Sequence, residues 1–265
     1  MSKASEILRN SRKIVIKIGS HVLSNDDGLM DTEAMQNIAS QITTLIRQGK
    51  QVIIVSSGAE VSGVSAIGRW NRHGDLTYKQ AMCAIGQVEL MMEYKKLFLE
   101  NNLVVGQLLL THQDFSDNTK SLYIRNTLFT LLDENVIPII NENDSVSVDE
   151  FSIGDNDTLA SLTSNLWDAD LLILMSDIDG LYNVSPQKNK NAKLIKEVTD
   201  IDELKKNVDV SGKGSVGTGG METKVQAAET VSKFGTSLLL VNGKTPDILT
   251  KIDEGADTGT IFIAE

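Results

Sequence analysis

Apolar residues fall along this chain in short continuous runs, separated by longer stretches with helical spacing, and the runs tend to end on polar residues or glycine. The first run, Lys13 to Ile18 (KIVIKI), is rich in β-branched residues and is closed by Gly19, which predicts a buried strand entering a turn. Met30 to Gln48 then places Met35, Ile38, Ile42 and Leu45 at helical intervals, with Gly49 at the C-terminal cap position. The alternation repeats. Further strands are predicted at Gln51 to Val55, Leu103 to Thr111, Val136 to Ile140, Ala169 to Met175 and Leu238 to Val241, and further helices at Ala81 to Asn101, Leu122 to Glu134, Asn156 to Trp167 and Met221 to Phe234. The segment 183–210 is polar and carries no predicted element.

Strands that are apolar throughout and that alternate with helices predict an α/β fold, a three-layer sandwich with a mostly parallel central sheet covered on both faces. No repeat, low-complexity tract or linker divides the chain, so one domain over residues 1–265 is expected. Ligands of such sheets collect at the carboxyl ends of the strands. That rule nominates Ser57, Asp144, Ser176-Asp177 and the glycine-rich loop Gly212 to Gly220 as parts of one site.

Composition narrows the function. Twenty glycines against three prolines suit the many strand-to-helix turns of an α/β protein. A net charge of -11 without a cluster of Lys and Arg argues against nucleic-acid binding. One cysteine, Cys83, excludes an intramolecular disulfide, and His21, His73 and His112 have no metal-ligand spacing, so no protein-held metal site is expected. The start MSKASEILRNSRK lacks an apolar targeting core, and no run reaches the 18 residues of a membrane span, which points to a cytoplasmic protein without membrane contact.

The segment Gly217 to Lys224 (GTGGMETK) sets glycines before a helix whose first turn ends in lysine. Bare amides, a helix N-terminus and a lysine suit a phosphate, although a solvated loop would look the same if it stood alone. No Walker pattern is present, and Gly212 to Gly217 satisfies G-x-G-x-x-G far from the first strand, where that fingerprint belongs. Lys17 is the lone charge inside its apolar run, and it either marks a sheet edge or meets an anion. Gly154-Asp155-Asn156-Asp157 offers more polar groups than helix capping needs. No Ser-His-Asp or Cys-His arrangement is visible; a carboxylate acceptor, already ionised at neutral pH, would need alignment and charge neutralisation rather than a base.

Five motifs in order, VIKIGS (15–20), VSSGA (55–59), NENDSV (141–146), GDNDTL (154–159) and GTGGMETK (217–224), resemble the glutamate 5-kinase family of amino-acid kinases over the whole chain. The resemblance implies the amino-acid kinase fold and transfer of a phosphoryl group from ATP, bound with Mg2+, to the side-chain carboxylate of L-glutamate. It implies catalytic roles for Lys17, Lys224 and Asp157, and substrate contacts from Ser57, Gly58, Asp144 and Asn156. For ATP it implies Lys17, Gly19, Ser176, Asp177, Thr218, Gly219, Gly220, Met221, Glu222, Thr223 and Lys224. It further implies a homo-oligomer, feedback inhibition by proline, and coupling to a reductase that consumes the acyl phosphate. Glu60 and Ser176 depart from the family's usual residues, and the C-terminal PUA domain of many members is not expected within these residues.

Overall fold

β1 (Lys13–Ile18) runs through the middle of the molecule because its residues are apolar on both sides, and five of its six are buried. The computed structural model describes residues 1–68, 75–146, 156–184, 186, 189, 191–208 and 220–264. Beside β1 they form β2 (Gln51–Ser56), β3 (Val104–Leu110), β4 (Val136–Glu142), β5 (Leu171–Ser176), β6 (Glu197–Val198), β7 (Ser237–Asn242) and β8 (Thr260–Phe262). One sheet results, in the order β3-β4-β2-β1-β5-β7-β8-β6. Every pairing is parallel except that of β7 with β8.

The helices are α1 (Lys3–Asn10), α2 (Thr32–Arg47), α3 (Ala59–Ile67), α4 (Leu76–Leu99), α5 (His112–Ser116), α6 (Asn118–Asp133), α7 (Asn156–Trp167), α8 (Ile201–Asn207), α9 (Met221–Ser232) and α10 (Ile248–Asp253). Side chains alternate across β1, and the two cores follow that alternation. Ile14, Ile16 and Ile18 pack with α1, α2, α4 and α10 on one face. Val15 packs with α6, α7, α8 and α9 on the other, and Lys17, two residues on, shares that second face. The result is the three-layer α/β sandwich predicted from the apolar runs.

Differences from the predicted elements have local causes. Helix α3 follows β2 directly, without the amphipathic stripe that periodicity detects, since Gly63 and Ala59 lie where an apolar row would be. Helix α4 begins at Leu76, ahead of the predicted Ala81, because Asp75 caps it by accepting from the Tyr78 N–H at 3.2 Å. The polar stretch after residue 183 holds β6 and α8 among its described residues.

Two glycines decide how close α3 and α4 come. A Cβ on Gly86 would lie 1.8 Å from the Ala59 carbonyl oxygen, and one on Gly63 would lie 2.0 Å from that of Met82. Only hydrogen fits at either position, so the two helices touch backbone to backbone.

Candidate active site

The strand order reverses at β1: β2, β4 and β3 follow on one side, and β5 and β7 on the other. The crevice at such a switch point, beyond the strand ends, is where open α/β sheets bind ligands. Lys17 sits one residue before the end of β1, level with Val55 of β2 and Leu174 of β5. It lies in the centre of the sheet and is no edge marker.

Its ammonium meets Asp157. Lys17 Nζ lies 2.6 Å from Asp157 Oδ1, and Lys224 Nζ lies 3.2 Å from Asp157 Oδ2. All three are buried, at 6%, 5% and 0% exposure for Lys17, Lys224 and Asp157. Asp157 occupies the first turn of α7, where the helix dipole favours a negative charge, and Lys224 the first turn of α9. One carboxylate thus meets two ammonium groups, one at each oxygen. This arrangement suits a phosphoryl group that gathers charge in transit.

Around the cluster, the predicted residues converge. Gly220 opens α9 with no side-chain cap, so the helix starts on bare backbone; Thr223 donates to the Gly220 carbonyl at 2.8 Å and reaches Asp157 Oδ2 at 3.3 Å. Met221 and Glu222 fill the same first turn. Ser176 ends β5, and its hydroxyl donates to Asp177 at 3.1 Å. Gly19 follows β1, where a Cβ would lie 3.2 Å from the Met175 carbonyl. Its N–H already donates to that carbonyl at 3.0 Å, so Gly19 offers the nucleotide close approach rather than a free amide. Gly58 begins α3 with φ of 100°, a left-handed conformation that glycine adopts without strain. Thr218 and Gly219, like Gly154, Asp155 and the loop 212–217, lie outside the described residues.

A second group of side chains lines the floor beneath β2 and β4. The Asn156 Nδ2 donates to Ser57 Oγ at 2.8 Å and to Asn141 Oδ1 at 3.0 Å, while its own Oδ1 is buried without a hydrogen-bond partner among the described residues. Asn141 Nδ2 donates to Gln87 Oε1 at 2.8 Å. Asp144 lines a cavity of about 470 Å³ with Cys83, Gln87 and Glu142. Burial pushes the Cys83 thiol well above its ordinary range, helped by the charge of Asp144 and a hydrogen bond to it.

Sequence reasoning missed Cys83, Gln87 and Tyr94, all on the inner face of α4. Tyr94 pairs its hydroxyl with Ser56 Oγ at 2.8 Å, just before Ser57. Three polar groups at i, i+4 and i+11 on the buried side of a long helix were the available signal.

A sheet switch point holding a buried lysine–carboxylate–lysine cluster beside a polar floor defines a phosphoryl-transfer protein of the α/β class. Residues 12–242 match the Amino acid kinase family, and the chain belongs to it. Glutamate 5-kinase of Alkaliphilus metalliredigens (strain QYMF) is 53% identical over 98% of this chain and 98% of its own length. Glutamate 5-kinase of Alkaliphilus oremlandii (strain OhILAs) is 50% identical over 98% and 99%. Among solved structures, UMP kinase from Bacillus anthracis superposes with a TM-score of 0.66 at 14% identity, covering 96% of this chain and 97% of that one. Carbamate kinase from Giardia lamblia gives 0.64 at 18%, covering 97% and 100%. These last two share the fold.

Proposed function

We propose that this chain transfers the γ-phosphoryl group of ATP to the side-chain carboxylate of L-glutamate, giving γ-glutamyl phosphate and ADP, the step that opens proline synthesis from glutamate. The observation that carries the reading is the buried Lys17–Asp157–Lys224 cluster, together with relatives of 53% and 50% identity named glutamate 5-kinase.

Lys17 and Lys224 neutralise charge on the transferring group, and Asp157 keeps them apart so that both face it. The acceptor is already an anion, so no base is required. Ser57, Gly58, Asp144 and Asn156 hold glutamate: Asp144 and the buried Asn156 oxygen are acceptors, and the substrate's ammonium is a donor. Ser176 and Asp177 at the end of β5, Gly19, and residues 218–224 at the start of α9 receive the nucleotide. Among the described residues no group of three His, Cys, Asp or Glu side chains could cage a metal ion. Mg2+ would be carried on the ATP phosphates, where it would offset their charge.

Proline carries the same α-carboxylate and a cationic nitrogen, and it would inhibit by occupying Asp144 and Asn156. The acyl phosphate is labile, so a reductase that consumes it is the expected functional partner. A homo-oligomer is supported by Ile85, Val88, Met92 and Leu99, exposed as one apolar stripe on the outer face of α4.

ADP release, measured by a coupled assay with L-glutamate, N-acetylglutamate, aspartate and UMP, tests the assignment. Release should depend on L-glutamate and fall with proline in a way that high glutamate relieves. Turnover with another acceptor instead would make the chain a sister kinase, and ATP binding without any turnover would make it a nucleotide sensor.

A further inference from the structure

A primary amide can face a ligand with either its oxygen or its nitrogen, and the surrounding hydrogen bonds decide which. In the floor of this site the decision starts on α4. Gln87, 9% exposed, presents Oε1 to Asn141 Nδ2 at 2.8 Å. That bond turns Asn141 Oδ1 the other way, where it accepts the Glu142 backbone N–H at 2.9 Å and Asn156 Nδ2 at 3.0 Å. The opposite placement of Asn141 would set its NH2 against the Glu142 N–H, donor against donor. Asn156 Nδ2 donates its other hydrogen to Ser57 Oγ at 2.8 Å, so both N–H groups are engaged and Oδ1 is left buried and without a partner among the described residues.

We propose that Gln87 is a positioning residue for the substrate: through Asn141 it fixes Asn156 with both N–H groups engaged and its oxygen left to accept, and this selects an amino acid bearing an ammonium over a dicarboxylate without one. The inference rests on the reading of the floor as the glutamate site. Helix α4 is the element that makes the relay possible. The Gly63 and Gly86 contacts bring it against α3, and Gln87 projects one residue after Gly86. Cys83, one turn earlier on the same face, bonds Asp144, the other acceptor assigned to the ammonium. One helix face therefore sets both acceptors.

The test compares dissociation constants of L-glutamate and of glutarate, which lacks the ammonium, by calorimetry on the full chain with a non-hydrolysable ATP analogue. Gln87→Met keeps the side-chain length but removes the acceptor, and Gln87→Glu keeps it. Gln87→Met should weaken L-glutamate about tenfold, the scale of one mispaired buried hydrogen bond, and glutarate by less than twofold. Gln87→Glu should retain the wild-type preference, and the KM for ATP should not move in either variant. Should Gln87→Met fail to melt as a folded protein, Gln87→Lys carries the same test, because an ammonium can only donate to Asn141. An unchanged glutamate-to-glutarate ratio in the folded variant would overturn the relay. So would an equal loss in Gln87→Glu, which would move the role to the Gln87 nitrogen. Wild-type protein that binds no L-glutamate would instead remove the functional reading, and this inference with it.

Discussion

Asn156 and Asp157 are neighbours at the start of α7, yet they belong to two differently built regions. Asp157 anchors a cluster of charges drawn from β1, α7 and α9, in which the two lysine contacts are ion pairs and Thr223 adds a hydrogen bond. Asn156 anchors a neutral net drawn from β2, β4, α4 and α7, in which each contact is a directed hydrogen bond. A charge pair acts at a distance and tolerates small changes of angle, whereas an amide net carries information only through which atom points where. The first region suits a transition state whose charge is its main feature, and the second suits a ground state that must be told apart from its analogues.

The contrast is sharpest in how each region fails. Lys224→Ala or Lys17→Ala should lower kcat by ~10²–10³-fold, the cost of deleting one preorganised partner of a developing charge, while the fold survives. Steady-state rates beside a thermal melt would check this, and near-wild-type kcat would remove that lysine from the chemistry. Asp144→Asn should raise the glutamate KM by about ten- to a hundredfold, as expected for a lost charge-assisted hydrogen bond, and leave the ATP KM unmoved. Equal shifts in both constants would join the two regions into one.

Smaller effects probe the scaffold that serves the floor alone. Gly86→Ala must push α3 and α4 apart, because the new methyl would overlap the Ala59 carbonyl; a loss of roughly 1–3 kcal/mol in unfolding free energy is expected. Urea titration measures it, and glutamate affinity should fall more than ATP affinity in the same variant. Tyr94→Phe removes the partner of Ser56 Oγ, which keeps its bond to the Ser57 carbonyl at 2.9 Å, so the cost should be about 1 kcal/mol or less, with kcat unchanged. A fall in kcat would show that the floor reaches the charges after all.

Buried lysines show how far a linear reading carries. Lys17 stands out in sequence because an apolar strand surrounds it. Lys50 is 8% exposed, and its ammonium donates to the carbonyls of Leu8, Arg9 and Ser11 at 2.8, 3.0 and 2.8 Å, closing the end of α1. Desolvation lowers its pKa, with Asp253 and Asp170 opposing. In sequence it is one polar residue between a helix and a strand, and nothing there separates a cation that caps a helix from one that waits for a phosphate.

Sequence alone determined the layers, the parallel sheet and the strand ends on which chemistry gathers, because those follow from periodicity and from short-range turn chemistry. It also set Lys17 and Lys224 apart, since glycine and charge beside apolar runs are local signals, while Asp157 was distinguished from its polar neighbours only by the motif resemblance. Tertiary structure decided what lies between them: that Asp157 gives one oxygen to each lysine, that the Gly19 amide is already engaged, and that α4 sends Cys83, Gln87 and Tyr94 to the floor. Those partners are 38 to 61 residues away in sequence for each of the three, so no window of local pattern holds both ends of the bond. The orientation of an amide depends on every neighbour around it, and only the folded chain brings those neighbours together.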